Sequence, residues 1–295
     1  MVLLLYVDDI ILTGNSDDLL IDLVKYLSHN FEMKELGDLH YFLGLEAVRS
    51  DDAIMLTQKK YTMELLAKSH MLECNPCSTP VAKVNYVSQY MHAPTDIHLL
   101  LVKRILRYLK GTIGYGITLI KGDIECLTAY TDSDWGSCPE TARFTCGYAI
   151  FMGNSLISWS SKKQPTVSRS TAKAENEALS VATAKLEWLA SLFSELHIQL
   201  KKPINLVKHI KIHYHVVREL IEEGFLTVQH VASENQLADL FTKGLCTPIF
   251  ASLLSQLLGL SSTSTASTSD IPSSTSAPNL LPVITSSADI SKFQT

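Results

Sequence analysis

The chain has 295 residues, 46% hydrophobic and 19% charged, with a formal net charge of −5. That length accommodates one large or two ordinary domains, and the composition is that of a globular protein. The acidic excess excludes a global electrostatic drive toward nucleic acid, so binding a polyanion would require local basic patches or bridging metal ions.

The first residues, MVLLLYVDDIILTGN, place Asp8 and Asp9 inside an otherwise apolar run. Val2–Val7 and Ile10–Thr13 read as strands, with Gly14-Asn15 closing the second. The pair therefore sits at or near a hairpin turn. Two readings stay open: an ordinary acidic tip, since aspartates suit turns, or a tip that holds a divalent cation through hard oxygen ligands. Ser16 is a candidate N-cap for a helix carrying Leu19, Leu20, Leu23, Val24 and Leu27 on one face. MKELGDLHYFLGLEAVRSDDAIMLTQKKY reads as a strand pair turning at Ser50-Asp51-Asp52, and Tyr61–Ser69 as an amphipathic helix that stops before Asn75-Pro76.

Residues 81–97 show no strong period. HLLLVKRILRYLKG is an amphipathic helix ended by Gly111, and its Lys103, Arg104, Arg107 and Lys110 form either a solvated basic face or a contact to nucleic-acid phosphates. From Gly116 the texture becomes strand-like, through GITLIKGD, IECLTAYTDSDW, GYAIFMGNSLISWSS and QPTVSRS. A long helix follows, with Ala178, Val181, Ala182, Leu186, Leu189 and Phe193 on its apolar face. INLVKHIKIHYHVVRELIEEG reads as a helix or a strand–helix join, FLTVQHVA as a strand and SENQLADLFTKGL as a short helix. Ser233 and Gln236 are spaced as a capping box for that helix. Pro248–Leu260 is a weak amphipathic run. About half the residues from Ser261 onward are Ser or Thr, a composition expected to stay disordered.

The six cysteines are scattered, and Cys74-Asn75-Pro76-Cys77 lacks the second pair of a zinc site. Reduced cysteines, no basic leader and no run of about 20 apolar residues together predict an intracellular protein without a membrane span, with cytoplasm and nucleus not distinguished. His209, His213 and His215 have no neighbouring Cys and read as part of a basic solvated segment rather than a zinc site.

Three carboxylates of the second half stand out by context. Asp132 ends an apolar strand in AYTDSDWG, Glu175 lies near a helix start in SRSTAKAENEAL, and Asp239 lies in SENQLADLFTK. Each alone reads as a surface acid; brought together, such groups can hold two divalent cations for phosphoryl transfer.

The phrases YVDDIILTG, FEMKELGDLHYFLGLE, YMHAPTDIHLLLVKRILRYLKGT, TDSDWGSCPETARFTCGYAIFMGNSLISWSSKKQPTVSRSTAKAE and NQLADLFTK occur in that order. Residues 1 to about 245 thereby closely resemble the C-terminal part of the Pol polyprotein of copia-type LTR retrotransposons, most like the plant ones. The resemblance implies a reverse transcriptase palm fragment at 1–80, a connection at 81–121, an RNase H-like α/β domain at 122–245, and a low-complexity tail at 246–295. By the family's motifs YVDD carries two polymerase aspartates, with Asp8 the stronger metal ligand and Asp9 its partner. Leu39–Glu46 corresponds to the hairpin that grips the primer, and Lys34 lies near a position where polymerases keep a general-acid lysine. Asp132, Glu175 and Asp239 match the first, second and last of four RNase H carboxylates on a mixed five-stranded sheet, with Asp134 as the fallback for Asp132. The implied cofactor is magnesium in a two-metal site, and the implied partners are an RNA–DNA hybrid or a template–primer.

Departures from the family pattern bear on activity. Only Met1–Leu5 precede YVDD, so the first polymerase aspartate is not in this chain and polymerase activity from it alone is not expected. The join VAKVNYVSQYMHAPT is shorter than in the family. No Asp or Glu lies between Glu195 and Glu219, where the family carries a CDN-type motif with the third RNase H ligand. Roughly 20 residues are absent there, enough for a strand and a turn, so a sheet strand is expected to be lost with the ligand. Two functional readings follow: a remnant enzyme acting on RNA–DNA hybrids, expected to be inactive as this chain, or a non-catalytic pseudogene product or weak nucleic-acid-binding fragment.

Overall fold

The protein is described here by a computed structural model covering residues 1–7, 9–80, 84–88, 90–122, 124–135, 143–208, 215–259 and 282–286. It mixes helices and sheets and divides into two compact units, Met1–Gln58 with the C-terminal segment from Thr268, and Lys59–Ser267. Among the described residues no helix is long and apolar enough to cross a membrane.

In the first unit β1 (Val2–Tyr6) and β2 (Asp9–Thr13) form the expected hairpin, with Tyr6 paired to Asp9 across its turn. Ser16 stands at the N-cap of α1 (Asp17–Asn30) by backbone, but its side chain makes no capping bond. Alternation along β2 buries Ile10 and Leu12, and Leu20 of α1 meets them, with Leu23, Val24 and Met33 alongside. All of β1 is exposed. β3 (Met33–Asp38) follows. β4 (Tyr41–Phe42), β5 (Leu45–Arg49) and β6 (Ala53–Thr57) then pair antiparallel in order, with Ser50 N–H closing the predicted turn onto Ala53 O.

The second unit begins with α2 (Lys59–Lys68), α3 (Val84–Ser88) and α4 (Asp96–Gly111), then β7 (Gly116–Ile120). Its centre is a five-stranded sheet. β8 (Leu127–Asp134), β9 (Arg143–Met152) and β10 (Ser155–Val167) form an antiparallel meander, and Gln164–Val167 of QPTVSRS end β10 rather than making a separate strand. α5 (Thr171–Glu195) leads to β11 (Ile204–Lys208), which lies parallel to β8. After α6 (His215–Glu222), β12 (Leu226–His230) adds parallel to β11. The order is β10-β9-β8-β11-β12. The expected loss of a strand is therefore corrected: Ile204 and Leu206 of INLVK alternate inward and fill the fourth position.

One sheet face packs on α5, whose Leu179, Ala182, Leu186, Leu189 and Phe193 meet Leu127, Ala129, Ile150, Ile204, Leu206 and Leu226. The other face meets a 3-10 turn (Ser233–Asn235), α7 (Asp239–Thr242) and α8 (Thr247–Leu258), through Leu237, Leu253 and Leu257 on Ala149, Phe151 and Leu156. The low-complexity tail expected from 246 is thus corrected at its start. Pro248 sits in the first turn of α8, where its missing N–H costs nothing, and Leu253 and Leu257 are apolar enough to bury. A last strand, β13 (Pro282–Ser286), pairs antiparallel with β2 and β3 in the first unit, also within the stretch expected to be disordered.

Candidate functional site

The carboxylates of the second unit meet where β8 ends. Asp132 is 1% exposed on that strand, Glu175 is 6% exposed in the second turn of α5, and Asp239, 5% exposed, opens α7. Local chemistry sets each position. Ser170 caps α5, its side chain accepting from Lys173 N–H at 3.3 Å, and Trp135 Nε1 donates to Ser168 O at 2.9 Å, tying the end of β8 to the approach of α5. Glu175 Oε1 then accepts from Ser133 N–H at 3.3 Å.

α7 is bolted to the sheet by Gln236, which is fully buried. Its Nε2 donates to Thr131 O at 3.1 Å and its Oε1 accepts from Ala238 N–H at 3.3 Å. Gln236 does not form a capping box with Ser233; the 3-10 turn there has Ala232 at its N-cap and no side-chain cap. The amide satisfies β8 and the approach to α7, two buried backbone groups that outrank an exposed helix end.

Two residues next to Asp239 complete the cluster. Thr242 Oγ1 donates to Asp132 Oδ2. Lys243 Nζ lies 3.2 Å from Asp132 Oδ1 and 2.8 Å from Asp239 Oδ1, bridging both aspartates. The sequence reading missed this lysine, although Asp239 and Lys243 are spaced i, i+4, the spacing at which opposite charges pair on a helix. The sequence places Lys208 in a basic solvated segment, whereas in the structure it ends β11, is 3% exposed, and its ammonium has no hydrogen-bond partner among the described residues. Lys208 succeeds Ile204 and Leu206 at period two, so it faces the α5 side of the sheet, where Glu175 resides.

Burial pushes the Glu175 carboxyl up to about 7, and the Asp132 charge adds to that; Ser133 and Lys243 pull the other way. Burial lowers Lys208, with Glu175 opposing it. Burial also acts to lower Lys243, but Asp239 and Asp132 outweigh it, and its ammonium form is favoured. The Cys146 thiol, on the strand beside Ser133, is pushed up to about 12 by burial and stays protonated.

Among the described residues no three His, Cys, Asp or Glu side chains are grouped so as to hold a metal ion. As arranged, the cluster does not fit a divalent cation. Lys243 occupies the space between two of the carboxylates, and the fourth strand presents an ammonium rather than a carboxylate. Asp134, the fallback for Asp132, is the last residue of β8. In the first unit, Asp9 lies within β2, not at the turn tip, while Asp8 lies outside the described residues. Lys34 lies in β3 and pairs through its backbone with Thr285. His209 and His213 also lie outside the described residues.

The basic helix α4 is partly committed to packing. Arg104 Nε and Nη2 each reach Thr79 at 3.4 Å, on O and Oγ1, and Arg107 Nε donates to Asn75 O at 2.7 Å. Cys77 N–H donates to Arg107 O at 3.2 Å, so the CxxC segment is strapped along α4. Arg104 and Arg107 thus hold chain although both are exposed, and Lys103 is exposed as well. Lys110 lies in the last turn of α4, half-buried. Arg107→Ala is expected to cost ~1 kcal/mol and to speed amide exchange at Cys77. Unchanged exchange there would show that the strap does not depend on this bond.

The chain belongs to a class defined by its first 83 residues, which match the family model described as "Reverse transcriptase (RNA-dependent DNA polymerase)". It is 38% identical, over 82% of its own length, to the Retrovirus-related Pol polyprotein from transposon RE2 of Arabidopsis thaliana, and 36% identical over 86% to that from transposon RE1. An uncharacterized mitochondrial protein of the same plant is 41% identical over 64% of this chain and 94% of its own length. The family is therefore the Pol polyprotein of copia-type LTR retrotransposons, plant-like in its relatives. The chain spans about a fifth of the length of the two Pol polyproteins, 21% of each. No solved structure matches it.

Proposed function

We propose that this chain is a remnant of a retrotransposon reverse transcriptase and RNase H that engages nucleic acid weakly, in an intracellular setting, and does not cut it. In this reading residues 1–80 descend from the polymerase palm and residues 122–245 form an RNase H-like domain. The five-stranded mixed sheet and the convergence of Asp132, Glu175 and Asp239 support that descent. The ancestral chemistry is two-metal phosphoryl transfer with magnesium on an RNA–DNA hybrid, and the same three carboxylates would have shared that work.

The observation that carries the non-catalytic part is Lys208. Two-metal cleavage needs a further carboxylate on the strand beside Asp132, and β11 ends instead in a buried lysine. Weak binding to the phosphate backbone falls to exposed cations such as Lys103, and it is expected to fade as salt rises.

The test is cleavage of a labelled RNA–DNA hybrid by the purified full chain, with magnesium and then manganese. Asp132→Asn and Glu175→Gln variants serve as controls. The expected result is no cleavage from folded protein. Cleavage that both variants abolish would overturn the reading, because another group would then be replacing the missing carboxylate.

A further inference from the structure

We infer that Lys243 and Lys208 serve as the built-in cations of the Asp132–Glu175–Asp239 cluster, so that the chain holds its buried carboxylates together without a divalent metal. Three observations carry this. Lys243 Nζ contacts Asp132 Oδ1 at 3.2 Å and Asp239 Oδ1 at 2.8 Å, the bridging position a metal ion would need. Thr242 takes the remaining oxygen of Asp132, so that carboxylate already has a donor on each oxygen. On the Glu175 side, Lys208 brings a second ammonium that is 3% exposed and has no hydrogen-bond partner among the described residues.

Buried carboxylates repel one another and are costly to desolvate, so a fold that brings three together needs positive charge among them. Lys243 and Lys208 stand against Asp132, Asp239 and a Glu175 that burial pushes toward its neutral form, which brings the cluster close to balance. A divalent cation entering beside them would meet repulsion from both lysines and would have to displace Lys243 from two ion pairs. The lysines come from different elements, one at the end of β11 and one just past α7, so the cluster also ties α7 to the sheet. Metal indifference is a property of the folded chain, not only of its chemistry.

The inference shares with the proposed function the three carboxylates and Lys208, and it adds the bridging contacts of Lys243. Its test reads metal binding and thermal unfolding, not cleavage. The full chain is titrated with manganese by electron paramagnetic resonance, and its Tm is followed with manganese, magnesium or a chelator. Wild type is expected to bind no manganese at the cluster and to melt at the same temperature in all three. Lys243→Met, which keeps the apolar stem, is expected to melt lower in chelator and to regain part of that loss with manganese. Lys243→Arg keeps the charge and is expected to stay indifferent. A manganese-dependent rise of the wild-type Tm that Asp132→Asn removes would overturn the inference, as would a Lys243→Met variant whose Tm ignores both the mutation and the metal. Manganese binding at the cluster without hybrid cleavage would sink this inference and leave the proposed function standing, whereas metal-dependent cleavage that Asp132→Asn abolishes would overturn both.

Discussion

Gly147→Val is expected to destabilise the second unit by about 1–3 kcal/mol, the range for overpacking a filled site. Gly147 lies on β9 opposite Asp132, beneath α7. A Cβ at this position would stand 2.7 Å from Thr242 Cγ2, 2.9 Å from Phe241 Cβ and 3.3 Å from Ala238 O. Threonine Cγ2 and phenylalanine Cβ are not the far ends of flexible side chains, so α7 itself must lift. Lifting α7 withdraws Thr242 and Lys243 from Asp132, leaving a carboxylate that is 1% exposed without its donors. That loss adds to the steric cost. Urea unfolding followed by far-ultraviolet circular dichroism reads the change. Gly114→Ala is the control, since nothing lies within 4 Å of a Cβ there; it is expected to stay within about 0.5 kcal/mol of wild type. Equal midpoints for Gly147→Val and Gly114→Ala would mean that α7 does not seat on β9.

Glu175→Gln is expected to stabilise the chain above neutral pH by up to ~3 kcal/mol in chelator-treated buffer. The carboxyl is held at about 7 in the folded chain against 4.5 for the ordinary side chain, chiefly by burial and then by the Asp132 charge. Between those values the folded chain keeps a proton that the unfolded chain has released. Stability therefore falls as pH rises from about 4.5 to about 7 and levels off above, and the spread converts to ~3 kcal/mol. Glutamine has no such proton to lose. Its oxygen can still accept from Ser133 N–H, so the variant keeps the local bond; it also gives up the charge that opposes the burial of Lys208, which offsets part of the gain. Stability curves of wild type and variant are expected to meet near pH 4 and to separate as pH rises, with the variant above. A wild type that gains on the variant with rising pH would mean that the carboxylate is held as an anion.

Much of the fold was legible because it rests on period. The β1–β2 hairpin, the helices α1, α2, α4 and α5, and the strands β8, β9 and β12 announce themselves by alternation or by an apolar stripe, as in Ala178, Leu186 and Phe193 of α5; α3, in the stretch without a strong period, does not. Val181 was expected on that stripe and is only half-buried, at its margin. The strand Ile204–Lys208 shows in the alternation of Ile204 and Leu206, a signal that the missing carboxylate of the same stretch masks. α8 was undervalued because a Ser/Thr-rich stretch follows it, yet two leucines four apart are enough to seal one end of a sheet face. Gln236 deceived by its spacing from Ser233, since a local motif yields when a buried backbone group competes for the same amide.

The candidate site was legible in its acids and not in its bases. Asp132, Glu175 and Asp239 stand in distinctive phrases, and the fold brings them together. Lys208 and Lys243 look like ordinary surface lysines in one dimension. Only the register of β11 beside β8 and the single turn of α7 turn them inward, and both are tertiary facts.

The strand β11 also separates two kinds of constraint that a genome treats differently. A sheet asks of it little more than apolar residues at every second position and accepts a lysine at the end. Hydrolysis asks for one particular acid there. In a gene copy no longer selected for its reaction, drift strikes both demands alike, but only a break in the alternation removes the product from the pool of foldable proteins. On the function proposed above, such copies outlive their chemistry as folded relics, and a census that counts enzymes by architecture will count them among the living.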